Sequence, residues 1–94
     1  MIFNWDDRKN ERLKKERGIS FEEIILAIDN GRLLSVLAHP NPEKYAGQKL
    51  YLVALDNYVV VVPFREEGDE ILLITAYPSR KYTKLYFGKE EAPS

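Results

Sequence analysis

The stretch YLVALDNYVVVVPF, residues 51–64, contains two apolar segments separated by the polar pair Asp56-Asn57. A two-residue connection of this kind is typical of a β-hairpin, and we therefore predict strands at 51–55 and 58–64. The four consecutive valines of the second segment indicate a central strand that is covered on both faces. Because proline lacks a backbone N–H, we predict that ladder pairing stops near Pro63.

Three further segments have the pattern of strands. Leu33–Ala38 is short and apolar, and 70–77 follows an acidic turn around Gly68. Near the N-terminus, Ile2-Phe3-Asn4-Trp5 alternates apolar and polar side chains, which is typical of a short strand with one buried face. The hairpin is therefore expected to belong to a sheet of four to five strands.

Two helices are predicted between the first strand and the second, and each has its own capping residue. Asp6 is suited to cap a helix that runs to Arg17, and Gly18 is suited to end it in a left-handed conformation. The motif Ser20-Phe21-Glu22-Glu23 has the residues of a capping box. Apolar side chains at helical spacing then extend the second helix to Asp29.

A last short helix is predicted to begin at the cap Ser79 and to end near Tyr86, and the tail 88–94 is expected to fray. The element order is then β-α-α-β-β-β-β-α. Because helices and strands are segregated along the chain, we predict an α+β fold in which the two N-terminal helices pack on a mainly antiparallel sheet. The 94 residues are expected to form a single domain, 1–94.

The composition, with 45% hydrophobic and 31% charged residues, is that of an ordinary globular protein. There is no apolar run of membrane-spanning length and no basic-then-apolar secretory signal, so we expect a cytoplasmic protein without membrane contact. One histidine and no cysteine do not suffice for a thiolate site or a structural zinc site. The sequence also lacks a Walker loop, a dinucleotide fingerprint and a nucleophile elbow, and we therefore expect no cofactor and no metal.

Basic residues concentrate at two places, although the net charge is −1 and the pI is about 5.8. Between residues 8 and 17 there are six cations and two acids. Arg80, Lys81 and Lys84 fall within five residues that contain no acid. Each cluster is either a local patch for a polyanion or a solvated helix face, and the composition alone leaves both interpretations open.

Several motifs of the sequence resemble the BrnT-type toxins of bacterial toxin–antitoxin systems. Two of them lie before the end of the second predicted helix, and the other three follow that helix. The motifs are Phe3-Asn4-Trp5-Asp6-Asp7-Arg8-Lys9-Asn10, Arg17-Gly18-Ile19-Ser20-Phe21-Glu22-Glu23, His39-Pro40-Asn41-Pro42-Glu43-Lys44-Tyr45, Val62-Pro63-Phe64, and Pro78-Ser79-Arg80-Lys81 with Thr83-Lys84. Together they are distributed over nearly the whole chain.

The resemblance implies a fold similar to that of RelE-like ribonucleases and a metal-independent endoribonuclease activity that arrests growth. It also implies a cognate antitoxin, expected to be a small ribbon-helix-helix protein, and contact with promoter DNA only through the complex with that antitoxin. One segment departs from the family pattern, because an arginine-rich last strand is replaced here by Leu72-Leu73-Ile74-Thr75-Ala76-Tyr77. Arginines that would hold the scissile phosphate are therefore missing at these positions.

Metal-free RNA cleavage needs a base for the 2′-hydroxyl, cations for the phosphate and an acid for the leaving oxygen. His39 is the only histidine, the residue type that changes protonation near neutral pH, and we assign it to proton transfer. Arg80 and Lys81 are assigned to stabilise the crowded phosphate, since they stand at the start of the last predicted helix. The expected RNA- or phosphate-binding residues are Lys44, Tyr45, Tyr77, Tyr82, Lys84 and Tyr86.

Each assignment has an alternative. His39 precedes a proline and is also compatible with a turn residue, and the basic residues of 80–84 are compatible with an exposed helix face. For the function, the missing arginines favour a non-catalytic module that binds RNA or an antitoxin on the same scaffold. A third interpretation is a toxin that acts on a protein target such as gyrase.

Overall fold

The computed structural model describes residues 2–88, which form six strands and three helices. In chain order the elements are β1 (Ile2–Asn4), α1 (Asp7–Arg17), α2 (Phe21–Asp29), β2 (Leu33–Ala38), β3 (Gln48–Leu55), β4 (Tyr58–Glu67), β5 (Glu70–Leu73), β6 (Tyr77–Ser79) and α3 (Arg80–Phe87). None of the helices in this part of the chain is long and apolar enough to cross a membrane. The α+β class predicted from the sequence is confirmed, and the element order gains one strand.

The six strands form one open sheet in the order β1-β5-β4-β3-β2, and β6 pairs with β4 beyond the end of β5. Only the pairing of β1 with β5 is parallel. The single strand predicted at 70–77 is wrong, because this segment divides into β5 and β6. It divides where the chain leaves the sheet at 74–76, although the Ile74 N–H still donates to the Pro63 carbonyl at 2.9 Å.

The prediction that pairing stops near Pro63 is also wrong, because β4 continues through it to Glu67. Pro63 lies opposite Leu50 on β3, and the ladder between β4 and β5 begins at the next residue, Phe64. The N–H and C=O of a strand residue point to the same edge, and the Pro63 carbonyl points to Ile74. The missing N–H therefore faces the gap between β5 and β6, where no ladder bond is lost.

The predicted hairpin is confirmed, and both of its strands are longer than expected. Leu55 pairs with Tyr58 across the two-residue turn, in which Asp56 has a left-handed φ of 55°. At the far end the strands continue through polar residues, where Lys49 forms an ion pair with Glu66 at 3.1 Å. Such polar cross-strand contacts explain why the apolar pattern of the sequence ends before strand pairing does.

The central strands β3 and β4 are buried on both faces, as the run of valines predicts. One face packs against α1 and α2, and there Tyr51 stacks on Phe64 with ring centroids 3.8 Å apart. The opposite face has a smaller core, against which the ring of Tyr82 from α3 packs. Its buried residues are Leu50, Leu52, Val59 and Val61.

The predicted helix caps are confirmed. Each capping side chain accepts a backbone N–H of the first turn, and both hydrogen bonds of the predicted capping box at α2 are present. The three caps are Asp6, Ser20 and Ser79, and Gly18 ends α1 with a left-handed φ of 65°. The predicted fraying of the tail falls mainly on residues 89–94, which lie outside the described residues.

Asn10 connects the two N-terminal helices. Its side chain is buried, with 3% of the residue exposed, and its Oδ1 accepts from the Phe21 N–H at 2.8 Å. Its Nδ2 donates to Glu22 Oε1 at 2.8 Å, and this hydrogen bond lowers the pKa of Glu22 because it stabilises the carboxylate. Asn10 thereby fixes the first turn of α2 against α1.

We expect Asn10→Ala to lower the free energy of unfolding by about 1–3 kcal/mol, because the buried Phe21 N–H loses its acceptor. Chemical denaturation at neutral pH measures this loss. Glu16→Ala, an exposed change on the same helix, is the control and is expected to stay within about 0.5 kcal/mol of wild type.

The same experiment has an expected pH dependence. The contribution of the Glu22 carboxylate to the free energy of unfolding is fully present at pH values above 4.5, the ordinary pKa of glutamate. This contribution is lost as the pH falls through the lower pKa that Glu22 has in the folded state. The difference between wild type and Asn10→Ala should therefore narrow in acid. Equal stability of the two proteins at neutral pH would contradict the role of Asn10.

Candidate nucleic-acid interface

Hydrogen bonds at its first turn attach α3 to the sheet. The Ser79 side chain accepts from the Tyr82 N–H at 3.1 Å. The Thr83 hydroxyl donates to the Ser79 carbonyl at 2.6 Å and accepts from the Val59 N–H at 2.8 Å. Since no residue of α3 is fully buried, these bonds and the packing of Tyr82 set the position of the helix.

Arg80 and Lys84 lie one turn apart on α3 and line a common groove. The groove has a volume of about 640 Å³, and its other lining residues are Asn57, Tyr58, Thr83 and Phe87. No carboxylate lines it, and neither cation belongs to one of the ion pairs formed within residues 2–88. The groove is therefore suited to an anionic group beside an aromatic or apolar one.

Lys81 lies outside this groove. Its ammonium is 5.2 Å from the centroid of the Tyr82 ring, within the range of a cation–π contact. Burial raises the pKa of Tyr77, and the electrostatic effect of Tyr82 makes a smaller contribution in the same direction. The predicted residues Arg80 and Lys81 thus stand on one helix but face different neighbours.

These residues form one basic and aromatic surface, which we call the α3 surface. It consists of Tyr58, Tyr77, Arg80, Lys81, Tyr82, Lys84, Tyr86 and Phe87. All of these residues are exposed or half-buried. The strand β6 and the helix α3 contain no acidic residue, so the α3 surface has a local positive charge that the whole chain lacks.

His39, Lys44 and Tyr45 are together in the loop between β2 and β3, as their spacing in the sequence suggests. The His39 ring contacts Tyr45 with centroids 4.4 Å apart, and Lys44 Nζ is 5.4 Å from the Tyr45 ring. The Nδ1 of His39 accepts from the Asn41 N–H at 3.1 Å. The one ring nitrogen that can accept a proton in the neutral imidazole is therefore occupied by the Asn41 N–H. This hydrogen bond must break before His39 can act as a base.

The structure does not bring His39 close to Arg80 or Lys81. His39 follows Ala38, which pairs with Lys49 of β3. Lys49 in turn pairs with Phe64 of β4, so His39 lies near the Phe64 end of that strand. Arg80 follows Ser79, which pairs with Val59 on the other edge of β4. With about 3.3 Å per strand residue and about 4.8 Å between strands, the two sites are on the order of 20 Å apart.

Two residues of the α3 surface were not assigned from the sequence. Phe87 lies three residues after Lys84, so helical spacing alone places it beside that cation. Tyr58 begins a strand, where an aromatic residue is usually packed, but it is 40% exposed because it stands at the hairpin turn. Tyr51, the tyrosine of β3, is packed in the core.

No protein-family model matches this sequence, and no curated protein matches it either. Within residues 2–88 no group of three or more His, Asp or Glu side chains is arranged to hold a metal ion. The two regions that bear on function are therefore the α3 surface and the loop that contains His39.

We expect Thr83→Val to lower the free energy of unfolding by about 1–3 kcal/mol, because the buried Val59 loses the acceptor of its N–H. Hydrogen exchange of the α3 amides should accelerate in parallel, since the same hydroxyl attaches the helix to β4. Thr75→Val is the matched control, because Thr75 has no side-chain hydrogen bond within residues 2–88. Unchanged exchange in α3 would show that Thr83 does not hold the helix.

Proposed function

We propose that this protein binds single-stranded RNA on the α3 surface and acts as the RNA-cleaving toxin of a type II toxin–antitoxin pair. The observation that carries the proposal is the combination on one helix of accessible aromatic rings and cations that form no ion pair within residues 2–88, with no acidic residue in the helix. The resemblance to BrnT-type toxins and the α+β fold support it, and the RelE-like topology is part of the proposal.

Arg80 and Lys84 supply the electrostatic part of RNA binding. A guanidinium forms two parallel hydrogen bonds with a phosphate, and an ammonium adds a point charge beside it. Because the two cations share one groove, a single phosphate in that groove contacts both. Lys81 is held near Tyr82 and is available for a neighbouring phosphate.

The exposed rings of Tyr58, Tyr77, Tyr86 and Phe87 supply the part of binding that does not depend on charge. Unstacked bases of single-stranded RNA stack on such rings, which contribute about 1–3 kcal/mol for each stacked base. A duplex does not offer its base faces in this way. The alternation of cations and rings along α3 therefore favours a single strand over double-stranded nucleic acid.

In cleavage, a water molecule accepts the proton of the 2′-hydroxyl while its oxygen attacks the phosphorus atom, the bond from phosphorus to the 5′-oxygen breaks, and a 2′,3′-cyclic phosphate and a 5′-hydroxyl result. Arg80 and Lys84 stabilise the negative charge that develops on the phosphate. Tyr77, a phenol that keeps its proton at neutral pH, is the donor for the leaving oxygen in this proposal.

The antitoxin, in this proposal, covers the α3 surface and competes with RNA. Next to the cations the helix exposes apolar side chains, including Leu85, which is 70% exposed. An acidic, amphipathic extension of a ribbon-helix-helix protein has the complementary charge and apolar face. Promoter DNA would then be contacted through the antitoxin of the complex.

A second candidate function is a non-catalytic module that binds RNA or an antitoxin. One observation favours it: the α3 surface contains no group that accepts a proton near neutral pH, since His39 is on the order of 20 Å away. Without a base, removal of the 2′-proton depends on solvent. Binding without cleavage separates this candidate from the leading one.

We expect purified wild-type protein to cleave RNA without added metal, and Arg80→Ala/Lys84→Ala to reduce the rate by about 100-fold or more, because charge stabilisation of the phosphate is lost. Gel analysis of a defined single-stranded RNA measures the rate. Lys15→Ala/Arg32→Ala removes two exposed cations elsewhere and is the matched control, expected to cleave like wild type.

His39→Ala is expected to retain cleavage, because its ring stabilises a turn on a distant part of the sheet. Loss of cleavage in this variant would restore the predicted role of His39 in proton transfer. RNA that stays intact but binds to the wild-type protein would support the non-catalytic module, and RNA that neither binds nor breaks would contradict both candidates.

In cells, expression of the chain alone is expected to arrest growth, and co-expression of the neighbouring reading frame is expected to relieve the arrest. Leu85→Ala should weaken this relief without weakening the arrest, because Leu85 does not line the groove of Arg80 and Lys84 and the change adds no charge to α3. Growth curves and total RNA after induction measure both effects. Normal growth on expression of the chain alone would count against the toxin, and arrest with intact RNA would point to a protein target.

A further inference from the structure

A second concentration of cations lies at the other end of the sheet, in a cleft between the start of α1 and the hairpin strands. We call it the α1 cleft. Its volume is about 410 Å³. Its polar lining residues are Asp6, Arg8, Lys9, Arg12, Gln48 and Arg65.

The cations of the α1 cleft have few partners within the protein. Arg8, Lys9 and Arg12 form none of the ion pairs present within residues 2–88. Arg65 Nε forms an ion pair with Glu67 at 3.0 Å. The two terminal nitrogens of Arg65 have no ionic partner within residues 2–88. The one carboxylate in the lining, Asp6, is occupied as the N-cap of α1. The cleft is therefore lined by four cations and by one carboxylate that already caps a helix. This excess of positive charge in a concave site raises the local positive potential.

The sequence contains no signal for the contribution of Arg65, because two glutamates follow it directly. The register brings it to the cleft: Arg65 lies opposite Gln48 on β3, and Gln48 is half-buried there. The aliphatic part of Arg65 runs beside Gly47, where an added Cβ would be 3.7 Å from Arg65 Cδ. The loop that contains His39 therefore borders the cleft, and Gln48 also lines the pocket around His39.

Strand alternation connects the α1 cleft with the α3 surface. Arg65 lies an even number of residues from Val59 and Val61, so by alternation it belongs to the face of β4 on which Tyr82 packs. The other cations of the cleft come from α1, which packs on the opposite face, so the cleft joins the two faces at this end of the sheet. Val59 is near the start of α3, and Arg65 is about 20 Å further along the strand at 3.3 Å per residue. One extended nucleic-acid strand is long enough to reach both sites.

We propose that the α1 cleft is a second binding site for the phosphodiester backbone of the same RNA strand that the α3 surface holds. The identity of the ligand as RNA rests on the proposed function. The cleft contains no aromatic side chain on which a base can stack, so it contacts backbone phosphates and is indifferent to sequence. It lengthens the site and aligns the RNA along β4.

The test is the binding of a fluorescent single-stranded RNA of about 20 nucleotides, longer than the 4–16 nucleotides of a typical single-strand-binding module. Arg12→Gln and Arg65→Gln are each expected to weaken binding several-fold at low salt. The slope of log K against log salt should become shallower by about 0.7 for each phosphate that the variant no longer neutralises. Lys15→Gln, on the same helix but outside the cleft, is the control and should match wild type.

The outcomes separate this inference from the proposed function. Loss of binding in Arg80→Ala/Lys84→Ala, with wild-type affinity and salt slope in both cleft variants, would overturn the inference and leave the function standing. Loss in the cleft variants alone would remove the α3 surface as the RNA site, and it would overturn the inference of one strand shared by both sites. An RNA that does not bind the wild-type protein overturns both.

An acidic protein segment is the competing ligand for the α1 cleft. A polyglutamate peptide that binds wild type as tightly as RNA does, and loses affinity in Arg12→Gln and Arg65→Gln, would also overturn the inference. Two single variants are used because Arg65→Gln also removes the ion pair with Glu67, whereas Arg12 has no ionic partner within residues 2–88. Unfolding transitions that coincide with wild type show that each variant is folded.

Discussion

Burial of β4 on both faces is the constraint on which the other elements depend. Val60 and Val62 need cover from α1 and α2, and Val59 and Val61 need cover from α3 and β2. A strand that is buried in this way cannot leave either edge unpaired without a cost in unsatisfied backbone groups. β3 pairs with one edge of β4, over residues 58–65. On the other edge, β6 pairs with residues 59–61 and β5 pairs with residues 64–67. The position of α3, and with it the cations of the α3 surface, follows from that division.

The sequence was sufficient for every element whose cause is local. Helix ends depend on caps within one turn, and Asp56-Asn57 sets a hairpin whatever surrounds it. The break of 70–77 into two strands depends instead on its pairing with β4 around Pro63, a residue that lies outside this segment. The parallel pairing of β1 with β5 joins residues nearly seventy positions apart, and no local pattern specifies it.

The candidate sites show the same limit. Arg80, Lys84 and the tyrosines could be selected by chemical type, and Phe87 could have been added by helical spacing. The distance between His39 and Arg80 could not be predicted, because it depends on the register of four strands at once. Arg65 could not be selected for the same reason: its pairing with Gln48 brings it to the cations of α1, although its Nε also binds the neighbouring Glu67.

The absence of fully buried residues on α3 has an evolutionary consequence. Mutations at exposed positions usually change stability by less than about 0.5 kcal/mol, so selection on folding places little restraint on the outer side chains of this helix. In the proposed function, recognition by α3 could therefore diverge quickly between descendants of one ancestral gene, whereas the valines of β4 and the cap at Ser79 are constrained by folding. The proposed partner would have to change in step, which would favour inheritance of the two genes together.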